Sequence, residues 1–110
     1  MVVLKNEVWM TKLEPTLGSE INKTRPCIIV SPDVANNNKK SVVIIPLTSK
    51  LKDFPSRVNC TFQNKNGQIV IDQIRTVDKI RLVKPRFAYK LAVLALRISA
   101  LCQNSLESDP

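Results

Sequence analysis

The chain contains no histidine. That absence removes the commonest general base and the commonest zinc ligand. Its three cysteines, Cys27, Cys60 and Cys102, are odd in number and share no C-x-x-C spacing. A conventional zinc site is therefore excluded and no other cofactor is called for; Cys27 and Cys60 sit inside apolar runs and read as buried, reduced thiols. Aromatic residues form 5% of the chain, so platforms for base stacking are few. Acidic residues are also scarce: nine Asp and Glu stand against seventeen Lys and Arg, leaving a net charge of +8 over 110 residues. For so short a chain that bias suggests a polyanionic partner, either nucleic acid or an acidic protein segment. The longest late apolar run, Leu91 to Leu96, is bracketed by Lys90 and Arg97 and is far too short to span a bilayer. The opening Met1-Val2-Val3-Leu4-Lys5-Asn6-Glu7 lacks a signal peptide's long apolar stretch. A cytoplasmic protein without a membrane partner is expected.

The composition is otherwise ordinary for a globular protein, with 44% hydrophobic and 24% charged residues. One domain over residues 1–110 is expected, small enough to gain from oligomerisation. Val8 to Leu13 reads as a first strand and Glu14 to Thr24 as a long surface loop. Pro26-Cys27-Ile28-Ile29-Val30 is a continuous apolar run suited to a strand buried on both faces. Ser31-Pro32-Asp33 breaks it into a helical turn, and Asn36 to Lys40 is a polar turn. Ser41 to Pro46, rich in β-branched residues, is the next strand. Arg57 to Phe62 alternates as a half-buried strand, and Gln68 to Ile71 is its partner. Asn64-Lys65-Asn66-Gly67 between them reads as the hairpin turn. Five short strands predict a small barrel or a strongly twisted antiparallel sheet. Pro85 fits the first position of a C-terminal helix, whose apolar face carries Phe87, Leu91, Leu94, Ile98 and Leu101. Residues 103–110 read as a frayed polar end.

If the polyanion is RNA, cleavage without a metal needs a base for the 2′-OH, an acid for the leaving 5′-oxygen and a fixed cation for the phosphorane. Arg25 is the best cation, since Pro26 holds it extended at the root of a buried strand and its guanidinium can fork onto two phosphate oxygens. Thr48 and Ser49 close the Ser41 to Pro46 run, where hydroxyls and loop amides can donate to phosphate; capping of a turn is the plain alternative. Asp72 follows Ile69-Val70-Ile71 at the rim of the sheet. It can orient Arg25, accept a proton, or cap the next turn. Arg75 and Lys79 add cationic surface beyond it. Asn22, Asn36 and Gln73 are candidates for hydrogen-bonded recognition of bases.

Four fragments carry a family resemblance: Glu14-Pro15-Thr16-Leu17-Gly18-Ser19-Glu20, Thr24-Arg25-Pro26, Pro46-Leu47-Thr48-Ser49 and Asp72-Gln73-Ile74-Arg75-Thr76-Val77-Asp78-Lys79. In that order, between short β-type segments, they resemble the MazF/PemK toxin endoribonucleases over roughly residues 7–82. The resemblance implies a mainly β, SH3-like small barrel over about 7–82 with a C-terminal helix over about 85–102, assembled as a homodimer. It implies metal-independent, sequence-specific cleavage of single-stranded RNA, leaving a 2′,3′-cyclic phosphate and a 5′-hydroxyl. It also implies a cognate antitoxin with an acidic tail. The positions that match the family's catalytic residues are Arg25 and Thr48, with Asp72 as a proton-transfer or positioning group. Ser19, Glu20, Thr24, Ser49, Lys50, Gln73, Arg75 and Lys79 fall among the substrate-binding positions.

Two departures bear on mechanism. Ser19 stands where some members carry a catalytic histidine, and serine cannot replace that base. Val70 stands where some place an arginine beside the acidic residue. The opening pair, Asn6-Glu7, and the apolar C-terminal helix also depart from the usual pattern. An alternative on the same fold is a gyrase poison, whose relatives rely on a Trp-bearing C-terminal end; here the only tryptophan is Trp9. A second alternative is a member that binds RNA or antitoxin without cleaving.

Overall fold

The structure, a computed structural model, describes residues 2–13, 23–62 and 65–86. Seven strands and one short helix follow in the order β1 (Val8–Lys12), β2 (Thr24–Ile29), α1 (Asp33–Asn38), β3 (Ser41–Thr48), β4 (Arg57–Phe62), β5 (Lys65–Val70), β6 (Arg75–Asp78) and β7 (Leu82–Arg86). Two 3-10 turns interrupt them, Ile71–Gln73 before β6 and Lys79–Arg81 before β7. All pairing is antiparallel, in the order β4-β5-β3-β2-β1-β7, with β6 also pairing β3.

β6 and β7 lie at opposite edges of the layer β6-β3-β2-β1-β7, yet the connection between them is only the three-residue turn Lys79–Arg81. So short a bridge requires the layer to twist until its edges nearly meet, which gives the expected small barrel. Inside it pack Val3, Trp9, Leu13, Cys27, Ile29, Val42, Ile44, Val77 and Leu82. Outside it, the β4–β5 hairpin folds over Val8, Ile28, Ile45 and Leu47, adding Val58, Cys60, Ile69 and Ile71. Strands β1 to β3 thus send alternate residues into two different cores, which is why their sequences are continuous apolar runs. Each fully buried Ile, Leu or Val contributes roughly 1.5–3 kcal/mol by leaving water.

Several expectations change. β6 and β7 add two strands to the five expected, because their few inward residues, chiefly Val77 and Leu82, give no alternation to read. Asn66-Gly67 is not the hairpin turn. Both residues belong to β5, opposite Thr61 and Cys60, and the ladder runs on to Phe62↔Lys65. Pro85 does not open a helix but lies in β7 opposite Trp9. Glu7 C=O accepts from Ile29 N–H, so Trp9, two residues on, turns its peptide groups towards β2 and its Pro85 partner turns outwards. The missing N–H of Pro85 therefore costs no ladder bond, as an edge strand allows. The rest of the expected C-terminal helix lies outside the described residues, as does Cys102; Cys27 and Cys60 are free and buried.

Asn36, expected to read bases, is fully buried on α1. Its Nδ2 donates to Ser31 C=O at 3.0 Å, its Oδ1 accepts from the Ser31 hydroxyl, and that hydroxyl accepts from Val43 N–H at 3.0 Å. The side chain pins α1 to β3 and is not available to a ligand. Among the described residues no helix is long and apolar enough to cross a membrane.

Candidate active site

Prolines decide where the sheet opens. Val30 N–H donates to Val43 C=O, so by the twofold alternation Pro26 and Ile28 also turn their peptide groups towards β3. Their register, Ile29↔Ile44, Ile28↔Ile45 and Cys27↔Pro46, would continue to Pro26↔Leu47 and Arg25↔Thr48. It stops instead, because Pro26 has no N–H to give to Leu47. Beyond that point β2 follows β1, through Arg25↔Thr11 and Thr24↔Lys12, while β3 follows β5, through Leu47↔Ile69 and Thr48↔Gln68. The strands part as a fork, with Arg25 on one arm and Thr48 on the other. On its opposite edge β3 pairs β6 up to Ile44 and β5 from Leu47 onwards. Pro46, whose missing N–H faces that edge, falls in the gap left by the turn Ile71–Gln73.

Arg25 is half-buried, and among the described residues no carboxylate pairs with it. Thr48 is only 7% exposed at the floor of the fork. Its Oγ1 accepts from Lys50 N–H at 3.2 Å, which leaves the hydroxyl proton free to donate elsewhere. Ser49 and Lys50 continue this arm as exposed residues, and Thr24, also exposed, continues the other. Arg25 and Thr24 thus lie on one arm of the fork, and Thr48, Ser49 and Lys50 on the other.

The other expected residues are placed differently. Asp72 is exposed in the turn Ile71–Gln73 and makes no side-chain hydrogen bond or ion pair with the described residues, Arg25 included. Gln73 is half-buried beside it. Arg75 is half-buried; its Nη1 donates to Leu13 C=O at 3.4 Å, so it braces the residue just past the end of β1. The Lys79 ammonium donates to Asn36 C=O and its N–H to Lys40 C=O, which ties it to α1 at the far end of β3 from Thr48. Lys79 is thus a structural tether, held away from the fork. Ser19, Glu20 and Asn22 lie outside the described residues.

Cys27, in the barrel core next to the Arg25 arm, is a buried thiol. Burial pushes its thiol up to about 12, offset in part by the Thr11 hydroxyl and by the positive charges of Arg75 and Arg25. Beyond the Arg25 arm, Lys12, Lys23, Thr24, Ile80 and Arg81 line an open groove of about 660 Å³. Arg81 Nη1 donates to Lys12 C=O at 3.3 Å, and Ile80 is 84% exposed at its side. Sequence reading missed Lys12, Lys23 and Arg81. The signal was available for the two lysines, Lys12 just before the expected loop and Lys23 at its end.

It also missed Gly67 and Gln68, which form the wall behind Thr48. A Cβ on Gly67 would lie 2.8 Å from the Thr48 carbonyl oxygen, so β5 approaches this main chain as only glycine can. Gln68 Oε1 accepts from Lys52 N–H at 2.9 Å and from Arg57 Nη1 at 3.2 Å. Its Nε2 donates to Lys52 C=O and to Asn59 Oδ1, both at 2.9 Å.

Structures solved for other proteins share this architecture. A MazF from Deinococcus radiodurans matches with a TM-score of 0.84 at 20% identity, covering 97% of this chain and 98% of that one. A mycobacterial endoribonuclease, solved in complex with its cognate antitoxin, matches with a TM-score of 0.78 at 20% identity over 98% of each chain. The barrel is therefore of the MazF class. In sequence, the endoribonuclease MazF9 of Mycobacterium tuberculosis is 31% identical over 88% of this chain and 91% of its own length. Endoribonuclease EndoA of Bacillus subtilis is 27% identical over 74% of this chain and 76% of its own. Residues 5–103 match the profile of the PemK-like, MazF-like toxins of type II toxin-antitoxin systems, and the chain belongs to that family.

Proposed function

We propose that the protein is a metal-independent endoribonuclease that cleaves single-stranded RNA at the fork. The observation that carries this reading is the end of the β2–β3 ladder at Cys27↔Pro46, beyond which Arg25 pairs with β1 and Thr48 with β5 at the same end of the sheet. A scissile phosphate held there meets two donors of different kinds. The Arg25 guanidinium forks onto the non-bridging oxygens and holds the charge that grows as the ribose 2′-OH attacks phosphorus. The Thr48 hydroxyl, already accepting from Lys50, donates its proton to a phosphate oxygen. Attack with departure of the 5′-oxygen gives a 2′,3′-cyclic phosphate and a 5′-hydroxyl. Proton transfer we assign to Asp72, an exposed carboxylate free of ion pairs with the described residues: it takes the 2′-OH proton and, as the acid so formed, returns a proton to the departing 5′-oxygen. Arg25 is a poor base, because a guanidinium would have to lose many units from a pKa above about 12.

The net charge of +8 suits both RNA and an acidic antitoxin segment. A homodimer in the cytoplasm, restrained by such an antitoxin, completes the proposal. The curated relatives named above are endoribonucleases, which favours this reading over the gyrase poison. Its test is incubation with a long unstructured RNA in excess EDTA, followed by mapping of fragment ends. Recurrent cuts with cyclic-phosphate ends, lost in Arg25→Ala and Thr48→Ala, are expected. Unchanged cutting by Arg25→Ala would overturn the assignment.

A further inference from the structure

The segment between β3 and β4, residues 49–56, has no regular secondary structure, and most of it is exposed. Leu51 and Phe54 are among its exposed side chains, with the Lys52 ammonium 5.7 Å from the Phe54 ring centre. A loop of that composition on a protein surface is ordinarily mobile. This one is fixed from beneath. Gln68 is 5% exposed, and its carboxamide meets both main-chain polar groups of Lys52, as a neighbouring strand would. Arg57 Nη1 holds Lys50 C=O at 3.1 Å from the same side, Arg57 N–H donates to Phe54 C=O at 3.0 Å, and Ile71 N–H donates to Ser56 C=O at 3.1 Å. Thr48 Oγ1 takes Lys50 N–H. The chain of bonds thus runs Gln68 to Lys52, Arg57 to Lys50, and Lys50 to the Thr48 hydroxyl.

We infer that Gln68 is a positioning residue for the Thr48 arm: it clamps the 49–56 loop so that Lys50 N–H fixes the Thr48 hydroxyl towards the scissile phosphate. Three features support the inference. Gln68 is the register partner of Thr48, so the clamp and the hydroxyl share one rung of the sheet. The neighbouring Gly67 brings β5 as close to the Thr48 main chain as contact permits. All four polar contacts of the Gln68 side chain run to Lys52, Arg57 and Asn59, none to the cores, so barrel packing does not require an amide there. A buried amide with every donor and acceptor matched confers geometry more than net stability. Small displacements of a catalytic group cost large factors in rate.

The inference rests on the endoribonuclease reading, so its test has two arms. In single-turnover cleavage of the mapped RNA, Gln68→Met keeps the volume and loses the bonds. Its rate at saturating RNA is expected to fall about ten- to a hundredfold with KM little changed. Hydrogen exchange on the full chain should show faster exchange at the Lys50 and Lys52 amides, with Ile28 and Ile45 unaltered. Gln68→Glu retains an acceptor for Lys52 N–H and should recover protection of that amide together with part of the rate. Wild-type rate in Gln68→Met despite a loosened loop overturns the proposal. So does loosening of Ile28 and Ile45 in step with the loop, which would make Gln68 a structural residue only. A wild-type protein that cuts no RNA would count against the endoribonuclease reading alone. The clamp is then judged by exchange, and an unchanged Lys52 amide in Gln68→Met overturns it.

Discussion

The two arms of the fork are built by opposite means. Thr48 is buried, backed by a glycine-only contact, and followed by a loop held through Gln68, Arg57 and Ile71. Arg25 is half-buried, flanked by the exposed Thr24 and by Lys23 at φ 69°, and pairs with no described carboxylate. One arm supplies direction and the other supplies charge. The division is physically sensible. A hydroxyl donor is useful only along its hydrogen-bond axis, whereas a guanidinium presents five donors and acts over several ångströms.

The largest test of that contrast compares Thr48→Val with Arg25→Lys. Both nearly preserve volume; the first removes the directed proton, the second keeps charge and loses the fork. We expect each to lower the cleavage rate by about a hundredfold or more, the scale of losing one preorganised transition-state donor. Neither defect should depend much on salt, because a positive charge at position 25 persists in both variants, whereas the defect of Arg25→Gln should; rates at two ionic strengths check this. A salt dependence in Thr48→Val as strong as that in Arg25→Gln would break the comparison.

Gly67→Ala should come next. Its Cβ has no room beside the Thr48 carbonyl, so backbone must shift, at roughly 1–3 kcal/mol. Urea unfolding measures that loss. Cleavage should fall further than stability predicts, because the shift falls on Thr48. Alanine tolerated without change in either quantity would show that the wall behind Thr48 is soft.

The smallest effect is in pH. The Cys27 thiol is held up to about 12 chiefly by burial, against an ordinary value of 9.0, so the unfolded chain releases this proton first. The stability that Cys27 contributes is therefore complete below pH 9 and is lost as pH rises towards 12. Cys60, also raised by burial, adds to the same trend. Thermal melts from pH 8 to 11 should show the decline, and Cys27→Ala should flatten it from a lower starting stability.

How much of this was legible beforehand depends on the residue. The runs at Ile28 and Ile44 announce strands because both faces are buried, and a continuous apolar stretch has few other uses in a small domain. Arg25 and Thr48 are readable as strand-end residues beside prolines. Their facing relation is not, since register between β2 and β3 is a property of the assembled sheet. Asn66-Gly67 misleads for a physical reason: the pair favours a tight turn, but here glycine is required for closeness, and β5 needs it opposite Cys60 and beside Thr48. Gln68 is silent in sequence because its partners are main-chain groups of another segment. Lys79 resembles a substrate cation until α1 is folded against it.

The proline at position 26 has one more consequence. A gap held open by contacts widens and narrows with temperature, solvent and occupancy. This one follows from the pyrrolidine nitrogen itself, whose hydrogen is replaced by a ring bond, so the two strands lack the next tooth of their zipper under every condition that leaves the polymer intact. Ionic strength can retune the attraction of the Arg25 arm, but no change of solvent restores the donor whose absence ends the ladder.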